Sequence, residues 1–288
     1  MASLALGTAQ WGGTYGVTNR TGVLSDADVS AIVEEARRVG IDAVDTHRTA
    51  DPAHGYGHAQ ERLRPWASGF AITTKVFGGA AADLPVRGQL EESLDRLGVD
   101  RVHACLVHDW FDLDDDLAAG TARELDVLMR EGLVGRVGIS AYDRVDIERA
   151  ARLFPALGAV QVPLNALDQR LVGEPLMSEL GAAGTELQVR SAFLQGLLVD
   201  ATSGAALSAH PDVIRFHRAC AGLAVSPIRA ALSFLRSIAW VDQVVVGVTS
   251  AGELREIGQA WALSPVDLDW AAVRSHDPGL VDPRLWSR

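Results

Sequence analysis

Three polar side chains end apolar runs, and a fourth stands on the loop between the first two. Asp45 closes Ala-Val-Asp, Lys75 closes Ile-Thr-Thr-Lys, His108 closes Leu-Val-His, and Tyr56 lies in Gly-Tyr-Gly-His. A carboxylate or an ammonium group beside a core segment costs several kcal/mol unless its charge is compensated. An Asp45–Lys75 ion pair would compensate both. A cation next to Tyr56 would draw the phenol's pKa down from its ordinary value of about 10. The phenol could then protonate a carbonyl oxygen as hydride reaches the carbon, and His108 could hydrogen-bond the same oxygen. Taken singly, each residue has a plainer reading. A strand-end Asp caps turns, a loop Tyr packs, a His satisfies polar neighbours and a Lys sits in water. Their coincidence at the ends of successive apolar runs is what points to chemistry.

Lys75 stands out on composition as well, because it is the one lysine among 26 basic residues. Lysine can shed its proton when buried, whereas arginine keeps its charge. A second chemistry therefore stays open for Lys75, a Schiff base with a carbonyl substrate as in an aldolase. The 288 residues, 48% of them hydrophobic, suffice for one large packed core. A net charge of -11 argues against nucleic acid and anionic membranes as partners. Cys105 and Cys220 are too few for a disulfide framework or a zinc cluster. The opening Met-Ala-Ser-Leu-Ala-Leu-Gly carries no basic stretch and no long apolar run, so neither a signal peptide nor a membrane span is expected. A monomer in a reducing cytoplasm is the default expectation.

These side chains need a scaffold, and the pattern supplies one. Short apolar runs fall at Leu4–Gly7, Ala43–Asp45, Ala71–Val76, Val102–His108, Val134–Ile139, Ala159–Val162, Leu187–Arg190 and Val244–Gly247. Amphipathic stretches lie between them, including Asp26–Val39, Ala59–Trp66, Val86–Leu97, Thr121–Arg130 and Pro227–Ser237. Strands alternating with helices predict a parallel sheet, and eight such units predict a single (β/α)8 barrel domain over residues 1–288. A doubly wound sheet is the alternative, but no G-x-G-x-x-G opens a helix here. Two connections are long, Thr46–Gly55 after strand two and Leu194–Ser226 after strand seven. Both leave the C-terminal ends of strands, where barrel active sites are built.

The residues and their order resemble the aldo-keto reductases over nearly the whole chain. Leu6-Gly7-Thr8-Ala9-Gln10-Trp11-Gly12, Asp45-Thr46, Tyr56-Gly57, Thr73-Thr74-Lys75-Val76 and Leu106-Val107-His108-Asp109 carry the likeness. It implies Tyr56 as proton donor, Asp45 and Lys75 as groups that tune it, and His108 as the residue that orients substrate. It also implies a nicotinamide cofactor, NADP(H), with NADH left open, and a small carbonyl compound as substrate. Gly7 and Thr8 would face that cofactor. Ser140 and Gln161 would hold its carboxamide, and Phe193-Leu194-Gln195-Gly196 would cover its pyrophosphate. Gly247, Thr249, Ser250, Arg255 and Glu256 would lie along its adenosine phosphate.

The departures from the family are local. The span from Asp45 to Tyr56 is longer than usual, and Ala50 stands where the usual spacing would put the tyrosine. The insertion His47–His54 could shape a substrate pocket, or displace Tyr56 and leave a cofactor-binding subunit without catalysis. Its histidines, with His58, match no defined metal motif, and no metal is expected. Ala141 replaces an Asn that often follows the nicotinamide-binding Ser. Arg190 stands where an aromatic ring often stacks on nicotinamide, and its planar guanidinium could stack instead. Thr249 and Ile257 stand where a basic residue and an Asn hold the adenosine end; Arg255, on a segment opening a helix, could reach the 2′-phosphate. Trp11, Phe77 and Trp110 follow strands one, three and four and could line an apolar substrate pocket.

Overall fold

The computed structural model describes residues 2–48, 56–200, 202 and 204–286. Eight strands, β1 (Ser3–Gly7), β2 (Ala43–Asp45), β3 (Ala71–Val76), β4 (Val102–Val107), β5 (Val134–Ser140), β6 (Ala159–Pro163), β7 (Glu186–Arg190) and β8 (Gln243–Gly247), pair in chain order and close into a barrel. Every pairing is parallel, including β8 back onto β1. With the intervening helices this is a (β/α)8 barrel.

The helices include α1 (Asp26–Arg38), α2 (Ala59–Leu63), α3 (Val86–Leu97), α4 (Asp115–Arg130), α5 (Arg144–Leu153), α6 (Pro175–Ala182), α7 (Pro211–Gly222), α8 (Pro227–Ser237) and α9 (Ala251–Ala262). Three depart from expectation, each for a local reason. α4 starts six residues early, at Asp115 rather than Thr121, because Asp114 caps it by accepting from the Leu117 amide and two aspartates fill its first turn. α2 stops at Leu63, since Pro65 cannot continue an α-helix and the chain tightens into a 3-10 segment over Arg64–Gly69. The long connection after β7 contains α7, which opens on Pro211 and buries Val213, Phe216 and Cys220 on one face.

Strand alternation sorts the core. Ile72 and Val76 of β3, and Cys105 and Val107 of β4, pack with helix residues such as Val29, Ile32, Leu90, Leu97, Leu125 and Leu128. The intervening Thr73, Lys75, Ala104 and Leu106 therefore face the lumen, where Ala104 and Leu106 meet Ala159 of β6. Polar side chains fill another part of the lumen. Gln188 of β7 donates to Thr73 Oγ1 at 3.2 Å and to Glu186 Oε1 at 2.7 Å, and Glu186 meets His103 at 2.7 Å near the N-terminal rim. This chain of hydrogen bonds runs up the barrel to the residues at its C-terminal mouth. Among the described residues no single helix is long and apolar enough to cross a membrane.

Candidate active site

Strands β2 and β3 carry Asp45 and Lys75 into the same region of the mouth. Lys75 Nζ donates to Asp45 Oδ1 at 2.6 Å and to Oδ2 at 2.7 Å, and lies 3.4 Å from the Thr46 carbonyl oxygen. Lys75 is 1% exposed and Asp45 4%, so each is the other's counter-charge in a place water hardly reaches. Gln161 Nε2 donates to Asp45 Oδ2 at 2.8 Å and to Gln188 Oε1 at 3.0 Å, which ties the pair to the lumen chain. Thr8 lies just beside it: its hydroxyl contacts the Asp45 carbonyl at 3.2 Å and Thr46 Oγ1 at 2.9 Å.

Tyr56 reaches this pair in spite of the insertion before it. Its hydroxyl donates toward Asp45 Oδ1 at 3.4 Å and accepts from Lys75 Nζ at 3.5 Å. Residues 49–55, including Ala50 and His54, lie outside the described residues, but both flanks are anchored. On the near side, Arg48 makes paired contacts of 2.8 Å with Asp83 and a further one of 2.8 Å with Glu92. Arg96 also donates to the Arg48 carbonyl at 2.6 Å. On the far side, Gly12 packs against the Tyr56 backbone.

The phenol's environment corrects one expectation. Lys75 was expected to lower its pKa. Instead burial, and then the Asp45 carboxylate, push the phenol well above its ordinary 10.0, with Arg190 opposing them. Lys75 itself is lowered, by burial first, against the pull of Asp45. The resting phenol is thus firmly protonated, the state required of a proton donor.

His108 follows β4, its amide bonded to the Val76 carbonyl at 2.8 Å. Its ring lies 5.4 Å from Phe77 and 5.1 Å from His47, centroid to centroid, and His47 in turn lies 5.6 Å from Tyr56 and 5.0 Å from Phe77. His47, fully buried, therefore joins this ring cluster; the sequence placed it at the start of the insertion, among histidines that match no metal motif, and its position directly after Asp45-Thr46 was the available signal. His58 diverges from it, with a 79% exposed side chain beside Glu61. Of the three aromatic residues expected to line a pocket, Phe77 joins this cluster. Trp110 does not: its indole donates to the Asp146 carbonyl at 3.1 Å and packs on Phe154 and Arg149. Trp11 is fully buried and offers no surface to a ligand.

The residues at the mouth fit a nicotinamide dinucleotide. Ser140 and Gln161 are register neighbours on β5 and β6, and Gly7 and Gly247 on β1 and β8. Over Gly247 lies the amide of Gln10, whose buried Oε1 has no hydrogen-bond partner among the described residues. The segment after β7 is strained: Ser191, Leu194 and Gln195 have φ of 61°, 47° and 52°. Each left-handed non-glycine residue costs about 1–3 kcal/mol, and such strain gathers at ligand clamps. Phe193 and the buried Leu194 stand in that segment. Gly196 follows, and a Cβ there would overlap Thr18, so this loop closes against the one after β1.

The adenosine end differs from expectation. Arg255 does not point to an open phosphate position: it donates to Glu35 Oε2 at 3.0 Å, and Glu35 is also bonded by Arg38. The Thr249 amide and hydroxyl bond the Glu253 carboxylate at 2.7 and 2.9 Å. Ser250 caps α9 by accepting from the Glu253 amide, and Glu256 is exposed.

Comparison with known proteins bears on the family and the fold. A sequence profile of the aldo/keto reductase family matches residues 3–278. No match is found among curated protein sequences. Among solved structures, an aldo-keto reductase fold from Pseudomonas aeruginosa superposes with a TM-score of 0.66 at 24% identity, over 90% of this chain and 89% of that one. The glycerol dehydrogenase of Gluconobacter oxydans gives 0.67 at 20% identity, over 92% and 88%. An aldo-keto reductase of Bacillus halodurans gives 0.69 at 17% identity, over 94% and 89%. At these identities the likeness carries the fold, and the profile match over nearly the whole length carries the kinship: the chain belongs to the aldo/keto reductase family, a family of carbonyl oxidoreductases.

Proposed function

We propose that the protein reduces an aldehyde or ketone to an alcohol, with NADPH or NADH as hydride donor and Tyr56 as proton donor. The observation that carries this reading is the Tyr56 hydroxyl at 3.4 Å from Asp45 and 3.5 Å from Lys75. When bound, the reduced nicotinamide would supply hydride to the carbonyl carbon. The chain's own residues manage the charge that this leaves on oxygen.

Tyr56 holds its proton in the resting site because burial and Asp45 both disfavour the phenolate. As the proton moves to the substrate oxygen, negative charge grows on the phenol beside the Lys75 ammonium. That attraction is absent while the phenol is neutral, so it stabilises the transition state more than the ground state. Asp45 and Gln161 fix Lys75 and spare the mouth any reorganisation as the charge appears. His108, in the ring cluster with His47 and Phe77, would hydrogen-bond the carbonyl oxygen and orient the substrate. Ser140, and the Gln161 amide beyond its contact with Asp45, would hold the carboxamide. Arg255 no longer gives a reason to favour NADP(H), since Glu35 holds it.

A Schiff-base role for Lys75 is disfavoured by its two contacts with Asp45, which hold Nζ against the carboxylate and oppose the lowering that burial imposes. The deciding experiment is Tyr56→Phe. It should bind NADPH and NADH as the wild type does and lose most aldehyde turnover. Full turnover in that variant would remove Tyr56 from the mechanism. A wild type that binds cofactor but turns over no carbonyl would favour a silenced subunit.

A further inference from the structure

Arg190 takes no part in the proton chemistry above, yet it stands at the mouth. It is the last residue of β7, opposite Pro163 of β6. Gln188 faces the lumen, so Arg190, two residues on, leaves the strand on the same side and nearer the opening. Its guanidinium is held in place. Nη2 donates to the Ala141 carbonyl at 3.2 Å, and Cζ lies 4.3 Å from the centre of the Tyr142 ring.

A second guanidinium shares that ring but is differently served. Arg284 Cζ lies 3.9 Å from the Tyr142 centre, and its charge is met by Asp282 at 2.9 and 2.6 Å. Among the described residues no carboxylate lies within ion-pair distance of Arg190. A partly buried cation without a counter-charge is costly to keep, and this chain, at net -11, has carboxylates to spare. The charge of Arg190 also reaches Tyr56 and Lys75: it opposes the rise that burial and Asp45 impose on the phenol, and it adds to the lowering of the lysine by burial. Arg190 is thus a fixed cation at the mouth of the barrel, with N–H groups beyond the Ala141 contact that meet no acceptor among the described residues.

Stacking on nicotinamide would leave those N–H groups unused, and the oxidised ring carries a positive charge that a guanidinium opposes. An anion uses them. We propose that Arg190 binds an anionic group, a carboxylate or a phosphate, carried by the carbonyl substrate itself. The substrate class is therefore an acidic aldehyde or ketone, and this rests on the carbonyl-reductase reading above. A guanidinium presents parallel N–H donors that match either anion. Tyr142 and Ala141 act as positioning groups that aim it.

The test compares kcat/KM within two matched pairs: 4-carboxybenzaldehyde against 4-nitrobenzaldehyde, and glyceraldehyde 3-phosphate against glyceraldehyde. Wild type, Arg190→Gln and Arg190→Lys are assayed. The wild type is expected to favour the anionic member of one pair, and that pair identifies the anion. Arg190→Gln should cut the preference by about ten- to a hundred-fold, mainly through KM, and Arg190→Lys should keep part of it. A wild type indifferent to the anion, or a preference untouched in Arg190→Gln, overturns the inference and leaves the proposed function standing. Absence of turnover with all four aldehydes overturns the proposed function instead. Calorimetric titration with benzoate and with inorganic phosphate then decides Arg190. Binding that is lost in Arg190→Gln upholds the anion site, and binding that is absent in the wild type or unchanged in the variant overturns it.

Discussion

Gly12 touches Tyr56 backbone to backbone, so closely that a Cβ on Gly12 would stand 1.9 Å from the Tyr56 carbonyl oxygen. The contact is reciprocal at the next residue. Gly57 has φ of 47°, and a Cβ there would come within 2.7 Å of the Gly12 carbonyl oxygen. This clasp between the loops after β1 and β2 sets the phenol's position after the insertion. Gly12→Ala must push the two loops apart. A displacement of about 1 Å at a catalytic group costs on the order of a hundred-fold in rate. The variant should therefore show kcat lowered by about that factor, measured by cofactor absorbance with 4-nitrobenzaldehyde. Wild-type kcat in Gly12→Ala would mean that Tyr56 does not act from where the clasp holds it.

The eight strands were legible because each is a short apolar run bounded by turn residues, and only their ends moved. Asp45, Lys75 and His108 were legible because a charge or an imidazole ending such a run needs a reason. Gln188 was not, since a glutamine carries no charge to flag it; its role depends on Gln161 and Thr73, distant in sequence and met only across the lumen. The tie of Arg255 to Glu35 was hidden in the same way, with 220 positions between the partners. The direction of Trp110 was not legible, because nothing in the sequence says whether an aromatic after a strand turns to the mouth or to Asp146 and Phe154.

The pH dependence should follow the phenol. Burial and Asp45 raise its pKa well above 10.0, so Tyr56 stays protonated through the neutral and mildly alkaline range. Reduction consumes that proton, and its kcat should show no tyrosine ionisation between about pH 7 and pH 10. Oxidation of the alcohol needs the phenolate as base. Its rate should climb about ten-fold per pH unit over the same range, as the minor deprotonated fraction grows. An oxidative rate that levels off below about pH 9 would assign the ionisation to another group.

The lumen chain gives Gln188 a measurable task. It accepts from Gln161 and donates to Thr73 and Glu186. Gln188→Leu leaves buried polar partners unmatched, at about 1–3 kcal/mol for each group stranded. Urea denaturation should show a loss of that order. Gln161 would also be freed to turn away from Asp45, so kcat should fall further than KM changes. A variant as stable as the wild type would mean that water or rearrangement replaces the chain.

The cofactor preference should follow the charges at the start of α9. The family resemblance puts the adenosine end of the cofactor along Thr249–Glu256. There Glu253 occupies the Thr249 amide and hydroxyl, and Arg255 is engaged with Glu35. A 2′-phosphate arriving at this place meets a carboxylate where a base would welcome it, whereas the 2′-hydroxyl of NADH can donate to that carboxylate. NADH should therefore support turnover at least as well as NADPH, contrary to the expectation from sequence. Glu253→Gln removes the repulsion and exposes the positive end of the helix, which should lower KM for NADPH by about two- to five-fold and change KM for NADH less. Initial rates at varied NADH and NADPH, at fixed low ionic strength, make the comparison. A wild type that favours NADPH by more than about ten-fold would require a cation in place of Arg255, and a Glu253 that swings clear when the phosphate binds.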